Sequence, residues 1–282
     1  IRANAAHGEL GGHIASYASA ADLFEVGFHH WFRARTETHG GFDGAPLAVH
    51  RLGAGRPVLM LHGLFSEART NWIRFGHAQK LADAGFEAIM PDFRAHGKSA
   101  RPHDKAAYPT DVLVRDTFAL VETLGLTDYD LVGFSLGSRT AARGVIAGLD
   151  PRRLVLAGMG LEGLAGWTRR SAFFLDAIAR FDEVKHGDPA FMAVAFMKTQ
   201  KVDLVAAKLL LESVGDTDAA DLAKIAMPTM VLCGAQDRDN GDPAALTRAL
   251  PDAVQAIVPG THMSCVTKPD LGLAIRDFLL AS

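Results

Sequence analysis

The stretch from Tyr129 to Thr140, YDLVGFSLGSRT, constrains the fold of this chain more than any other. Asp130 to Gly133 holds the apolar pair Leu131-Val132 and reads as a short buried strand. Gly133-Phe134-Ser135-Leu136-Gly137 follows, and the Ala-rich run from Ser138 to Gly148 suits a helix. A strand that passes directly into a helix forces the residue at the turn into a strained conformation, and small neighbours relieve the crowding. Gly133 and Gly137 stand two residues either side of Ser135, where a Cβ would collide with the turn. The helix that follows aims free N–H groups and the positive end of its dipole at the same point. Ser135 is therefore expected on a sharp tip, beside donors suited to a developing negative oxygen.

The rest of the chain alternates short apolar runs with amphipathic stretches. Strands are expected over 32–42, 46–52, 58–61, 87–90, 130–133, 153–157, 229–233 and 253–258. Helical spacing marks 13–35, 71–84, 111–124, 138–148, 243–250 and 269–280. That alternation implies a mostly parallel sheet covered on both faces. The rhythm breaks between about 161 and 226, which contains helical stretches at 171–181, 189–199 and 202–214 and no strand. This segment is too long for an ordinary crossover and is expected to be an inserted helical cap. The domain reading is an N-terminal tail and extra helix over 1–31, a core made of 32–160 and 227–282, and the cap over 161–226. The extra helix would cover the domain, form a dimer contact or act as a lid.

At 282 residues and 49% hydrophobic content, the chain can bury one large α/β core. A net charge of −3 gives no reason to expect nucleic-acid or membrane binding. Two cysteines, Cys233 and Cys265, make no disulfide framework and fit a reducing compartment, so the cytoplasm is expected. A start at Ile1 leaves a removed signal peptide open. The histidines and cysteines lack the spacing of a metal site, and no Gly-rich nucleotide fingerprint is present, so neither metal nor cofactor is expected.

Three chemistry-bearing residues each follow an apolar strand: Ser135, then Asp237 in Gly234-Ala235-Gln236-Asp237, then His262 in Gly260-Thr261-His262-Met263. In open parallel sheets the carboxyl ends of strands are where ligands collect. With His62-Gly63-Leu64-Phe65 and Asp92 through Ser99, these motifs resemble the α/β-hydrolase fold superfamily from about Phe32 to Leu280. Within it the chain looks like the compact bacterial group of esterases, enol-lactonases and C–C hydrolases. The fold class expected is α/β: an α/β-hydrolase fold with a mostly parallel central sheet flanked by helices, and a helical cap inserted after the sixth strand. The family pattern D-x-R-G-H-G-x-S is met at 92–99 except that Ala95 stands where Gly is usual.

The resemblance implies the roles. Ser135 would be the nucleophile, His262 the general base and acid, and Asp237 the group that orients the ring, with Asp239 and Asp242 as nearby competitors. The oxyanion donors implied are the backbone N–H groups of Leu136 and Leu64, with Phe65 the lesser choice for the second. His62 reads as a loop brace. Candidate substrate-binding side chains are Phe65, Phe134, Phe173 and Met197, although apolar side chains of the cap can equally pack its helices together. The reaction expected is hydrolysis of a small, largely apolar carboxylic ester or lactone. A C–C hydrolase of a ring-cleavage product would use the same triad. A haloperoxidase-like activity would need no different one, and a non-catalytic ligand-binding member of the fold is the reading from another class. The partner expected is a small-molecule substrate, with no nucleic acid or membrane, and a homodimer left open.

Overall fold

A computed structural model of the chain describes residues 34–281. The expected tail and extra helix over 1–31 lie outside the described residues. Eight strands form one sheet in the order β1-β2-β4-β3-β5-β6-β7-β8. They are β1 (Arg35–Gly40), β2 (Pro46–Gly53), β3 (Arg56–Leu61), β4 (Phe86–Pro91), β5 (Asp130–Phe134), β6 (Leu154–Ala157), β7 (Thr229–Gly234) and β8 (Ala253–Val258). β2 runs antiparallel to β4, and every pairing from β4 through β8 is parallel.

Burial explains why the central strands read as apolar runs. All five residues of β5, all four of β6 and all six of β7 are shielded from water, so no alternation of polar and apolar residues is needed. The register aligns Leu61 with Gly133, Phe134 with Ala157, Ala157 with Leu232, and Gly234 with Val258. The loops leaving β3, β5, β7 and β8 therefore emerge along one edge of the sheet.

Helices α1 (His77–Asp83), α2 (Val112–Thr123) and α3 (Leu136–Ile146) connect the first parallel strands. The helix expected over 71–84 is in fact two pieces, a single wide turn at Arg69–Ile73 and then α1. Gly76 separates them with φ +73°, a conformation that interrupts a right-handed helix. Between β6 and β7 come α4 (Leu161–Ala165), α5 (Trp167–Ala179), α6 (Phe191–Thr199) and α7 (Leu204–Ser213). The short α4 has no counterpart in the sequence reading. Asp203 starts α7 by accepting from the N–H groups of Val205 and Ala206, both at 3.1 Å, and α5 packs on α6 and α7. The chain ends with α8 (Pro243–Ala249) and α9 (Pro269–Leu280), each with Pro in its first turn. No helix among the described residues is long and apolar enough to cross a membrane.

Candidate active site

Ser135 sits between β5 and α3 with φ +54° and ψ −111°, outside the regions a residue with a Cβ prefers. The strain is held from both sides. Ser135 N–H donates to Ala157 O at 2.8 Å, and Arg139 N–H donates to Ser135 O at 3.1 Å. A Cβ on Gly133 would strike the Gly137 and Ser138 backbone, and one on Gly137 would strike Leu61 O. The turn is therefore tight enough to demand both glycines.

His262 reaches the serine from the loop after β8. Its Nε2 lies 3.0 Å from Ser135 Oγ, and its Nδ1 lies 2.8 Å from Asp237 Oδ2. All three side chains are buried. Burial by itself would raise the Asp237 pKa. The hydrogen bond and charge of His262, the Asp239 N–H at 2.9 Å from Oδ1, and the Arg170 charge outweigh it, so the carboxyl is held below its usual range. An ionised Asp237 accepts a hydrogen bond from Nδ1–H and so keeps the proton on that nitrogen, which leaves the Nε2 lone pair facing the serine hydroxyl. The competing carboxylates are occupied elsewhere: Asp242 accepts from Ala244 N–H at 2.8 Å to start α8, and Asp239 faces Arg170 at 4.0 Å. The Phe134 ring lies 5.0 Å from the His262 ring, and a Cβ on Gly158 would come within 3.0 Å of His262 Cε1. The imidazole thus has an aromatic wall on one side and bare backbone on another.

The loop after β3 is fixed by two histidines in a reciprocal arrangement. Phe93 N–H donates to His62 Nε2 at 2.9 Å, and Phe65 N–H donates to His96 Nε2 at 2.9 Å. Each Nε2 is an acceptor, so each proton is on Nδ1, which donates to Gly63 O at 2.8 Å from His62 and to Arg94 O at 3.0 Å from His96. Both rings are neutral because burial disfavours their charged forms. The His62 pKa is lowered despite Asp92, and that of His96 is lowered to about 3, with His62 adding to the effect. Phe65 holds φ +59°, a rare backbone conformation for a bulky residue. Its N–H is already engaged, whereas neither Leu64 N–H nor Leu136 N–H is bonded to another group among the described residues. Of the three amides considered, the N–H of Phe65, the lesser donor choice, is the one already committed to a partner.

Arg94, from the loop after β4, is wholly shielded from water. It donates to Asp43 at 2.7 and 2.9 Å and to Asp116 at 2.8 and 2.9 Å. Burial opposes the charge, but these carboxylates outweigh it and raise the pKa. The turn between β1 and β2, the loop after β4 and α2 are joined at this one side chain.

The apolar side chains expected to bind substrate separate into two groups. Phe65 and Phe134 are buried at the loops just described. Met197 is 0% exposed, locked inside the packed core, and presents no surface to a ligand. Phe173 is 40% exposed and meets Phe174 at 5.2 Å. The contact with the loop after β3 is made instead by Phe174, edge-on to Phe65 at 5.4 Å. The sequence reading chose its neighbour Phe173. The signal for Phe174 was its spacing of four from Arg170, whose guanidinium lies 5.5 Å from the Phe174 ring and donates to Asp239 O at 2.6 Å.

A sheet with its reactive loops at the carboxyl ends and a serine on a strained strand-to-helix turn defines the α/β-hydrolase class. A family model described as alpha/beta hydrolase fold matches residues 56–146. The chain is 34% identical over 125 residues to the AB hydrolase superfamily protein YisY of Bacillus subtilis strain 168, covering 43% of this chain and 42% of that one. The solved esterase of Exiguobacterium antarcticum superposes with a TM-score of 0.71 over 88% of this chain and 100% of its own, at 18% identity. A further match, 49% identical over 94 residues, covers 33% of this chain but 10% of the pyruvate dehydrogenase E1 component of Pseudomonas aeruginosa. The chain thus spans less than half the length of these curated relatives. Residues 56–146 carry the α/β-hydrolase fold signature, and the described sheet has that fold.

Proposed function

We propose that this chain hydrolyses a carboxylic ester or lactone of a small, largely apolar substrate through an acyl-enzyme on Ser135. The observation that carries the reading is the unbroken hydrogen-bonded chain from Asp237 through both His262 nitrogens to Ser135 Oγ, at 2.8 and 3.0 Å. In the first half-reaction Ser135 Oγ bonds to the carbonyl carbon while its proton moves to His262 Nε2. The tetrahedral oxyanion is met by the N–H groups of Leu64 and Leu136, aided by the positive end of α3. The carbon–oxygen bond to the leaving group then breaks, and His262 returns the proton to that oxygen. Water then repeats the sequence: His262 takes its proton as the new hydroxyl bonds to the acyl carbon, the bond to Ser135 Oγ breaks as His262 returns the proton to that oxygen, and the carboxylic acid departs. Asp237 holds the imidazolium formed in each half. A serine at this turn, where epoxide hydrolysis of the family type uses a carboxylate nucleophile, favours acyl transfer. The Phe134 ring beside His262 and the Phe65 ring against Phe174 make the surroundings of the serine apolar, which favours an apolar acyl or alcohol group.

Replacing Ser135 with Ala is expected to lower p-nitrophenyl ester turnover by at least about 10⁴-fold with the circular dichroism spectrum unchanged. A fluorophosphonate should label Ser135, and His262→Ala should abolish that labelling. Full turnover by the Ser135→Ala variant, or an adduct on another serine, would overturn the reading.

A further inference from the structure

Two arginines stand one turn apart on α3, the helix that begins at Ser135. Arg139 is 1% exposed. Its Nη1 donates to Leu164 O at 2.8 Å and to Gly215 O at 3.2 Å, and its guanidinium lies 4.8 Å from the Trp167 ring centroid. Leu164 and Trp167 lie where the chain enters the helical segment, and Gly215 lies where it leaves. Arg143 repeats the pattern on the exit side. It donates to Asp216 O, pairs with both carboxylate oxygens of Asp111, and lies 3.4 Å from Thr217 Oγ1. Asp111 N–H in turn donates to Ser213 O at 2.8 Å, and Thr217 N–H donates to Leu164 O at 3.1 Å, which closes entry against exit.

We propose that Arg139 and Arg143 are positioning residues that fix both feet of the 161–226 segment to the nucleophile's own helix, so that acyl-chain selectivity is set from α3. This proposal rests on the ester-hydrolase reading for its substrate and on the contacts above for its geometry. The segment they hold reaches both sides of Ser135. On α5, Phe174 touches Phe65 beside the free Leu64 N–H, and Arg170 bonds to Asp239 O, two residues from Asp237. A shift of the feet would therefore move α5 against both loops that serve the serine.

The electrostatics of Arg139 argue that stability alone does not account for it. Its Nη2 has no partner, and the groups it touches are carbonyls and an indole rather than a carboxylate. Burial lowers its pKa to about 9, with Arg143 and Arg170 adding repulsion, while Asp216 and Asp111 act from a distance. Asp216 spends its carboxylate on Thr168 and Asp111 spends its own on Arg143. A buried cation without a bonded counter-charge is a poor stabiliser, and an apolar side chain of similar length would hold the core as well. What an apolar side chain cannot do is bond two carbonyls from the two ends of one segment.

The test uses the full chain with Arg139→Met and Arg143→Met, p-nitrophenyl acetate and hexanoate, and hydrogen exchange of the native protein. The ratio of kcat/KM for hexanoate over acetate is expected to fall at least tenfold, through KM. Amides of residues 167–213 are expected to exchange at least tenfold faster, with those of β3, β5 and β6 unchanged. A ratio within twofold of the original would overturn the proposal, as would exchange that quickens equally throughout the chain. If the unaltered chain hydrolyses neither ester, the functional reading falls. The exchange result then decides the clamp by itself.

Discussion

Arg94 and Arg139 are both shut away from water, and they solve the problem of a buried charge in opposite ways. Arg94 lies between Asp43 and Asp116, each bonded twice, and its pKa is raised. Arg139 faces two carbonyls and an indole ring, leaves one nitrogen unpartnered, and has a pKa lowered to about 9. The first neutralises its cost of burial and welds three elements of the core. The second leaves much of that cost unrelieved in return for contact with two distant pieces of chain. A buried arginine is therefore not one kind of feature: its partners decide whether it holds the fold or aims a part of it.

Arg94→Met should have the largest effect on stability, a loss of about 3–5 kcal/mol, because Asp116 would be left as an unpaired buried charge. Arg139→Met, where no carboxylate is abandoned, should change global stability by less than about 1 kcal/mol in either direction. Urea unfolding of the two variants side by side checks this. Equal losses would mean that the partners do not matter and would break the comparison.

Acid should sharpen it next. His62 and His96, on the Arg94 side, are buried and neutral, whereas in the unfolded chain both titrate near 6.5. The unfolded state thus binds more protons, so stability is full above about pH 6.5 and falls as pH drops toward the His96 value of about 3. His96 contributes a slope approaching about 1.4 kcal/mol per pH unit in that window, and His62 adds to it in the same direction. Chemical denaturation measured at intervals from pH 7 to 4 should show it, and His96→Asn should flatten the slope. A slope unaffected by that substitution would place the acid sensitivity elsewhere.

The smallest effect concerns Ala95, held at φ +67° beside Arg94. Ala95→Gly should stabilise by less than about 1 kcal/mol, since relief of left-handed strain slightly exceeds the entropy glycine adds to the unfolded chain. A thermal melt is sufficient, and a clear loss would show that the buried methyl matters more than the backbone.

Much of the scaffold was legible because local and global demands agree. β8 and α9 fall on the expected residues, and strands buried on both faces read as uninterrupted apolar runs. The meeting of Ser135, Asp237 and His262 followed from chain order and strand ends. What was hidden depends on partners far along the chain. Arg94 is bonded to residues 51 positions before it and 22 after it, and no local pattern announces either. The exchange of N–H groups between the two histidine-bearing loops needs β3 and β4 side by side. Met197 falls on a helix apolar enough that periodicity could not tell the inward face from the outward one. In the 71–84 segment the apolar spacing continued across Gly76, so a left-handed residue was absorbed into one helix.

The bond from Phe65 to His96 has a consequence for how a carbonyl is received. Because that amide is already committed, a carbonyl oxygen arriving as the proposed reaction requires would meet a cradle with its vacancies decided in advance. Under the proposed ester hydrolysis, no amide would have to turn from one acceptor to another as charge builds up, so little reorganisation would separate the resting site from the transition state. The cost of arranging the cradle was met once, when the chain folded.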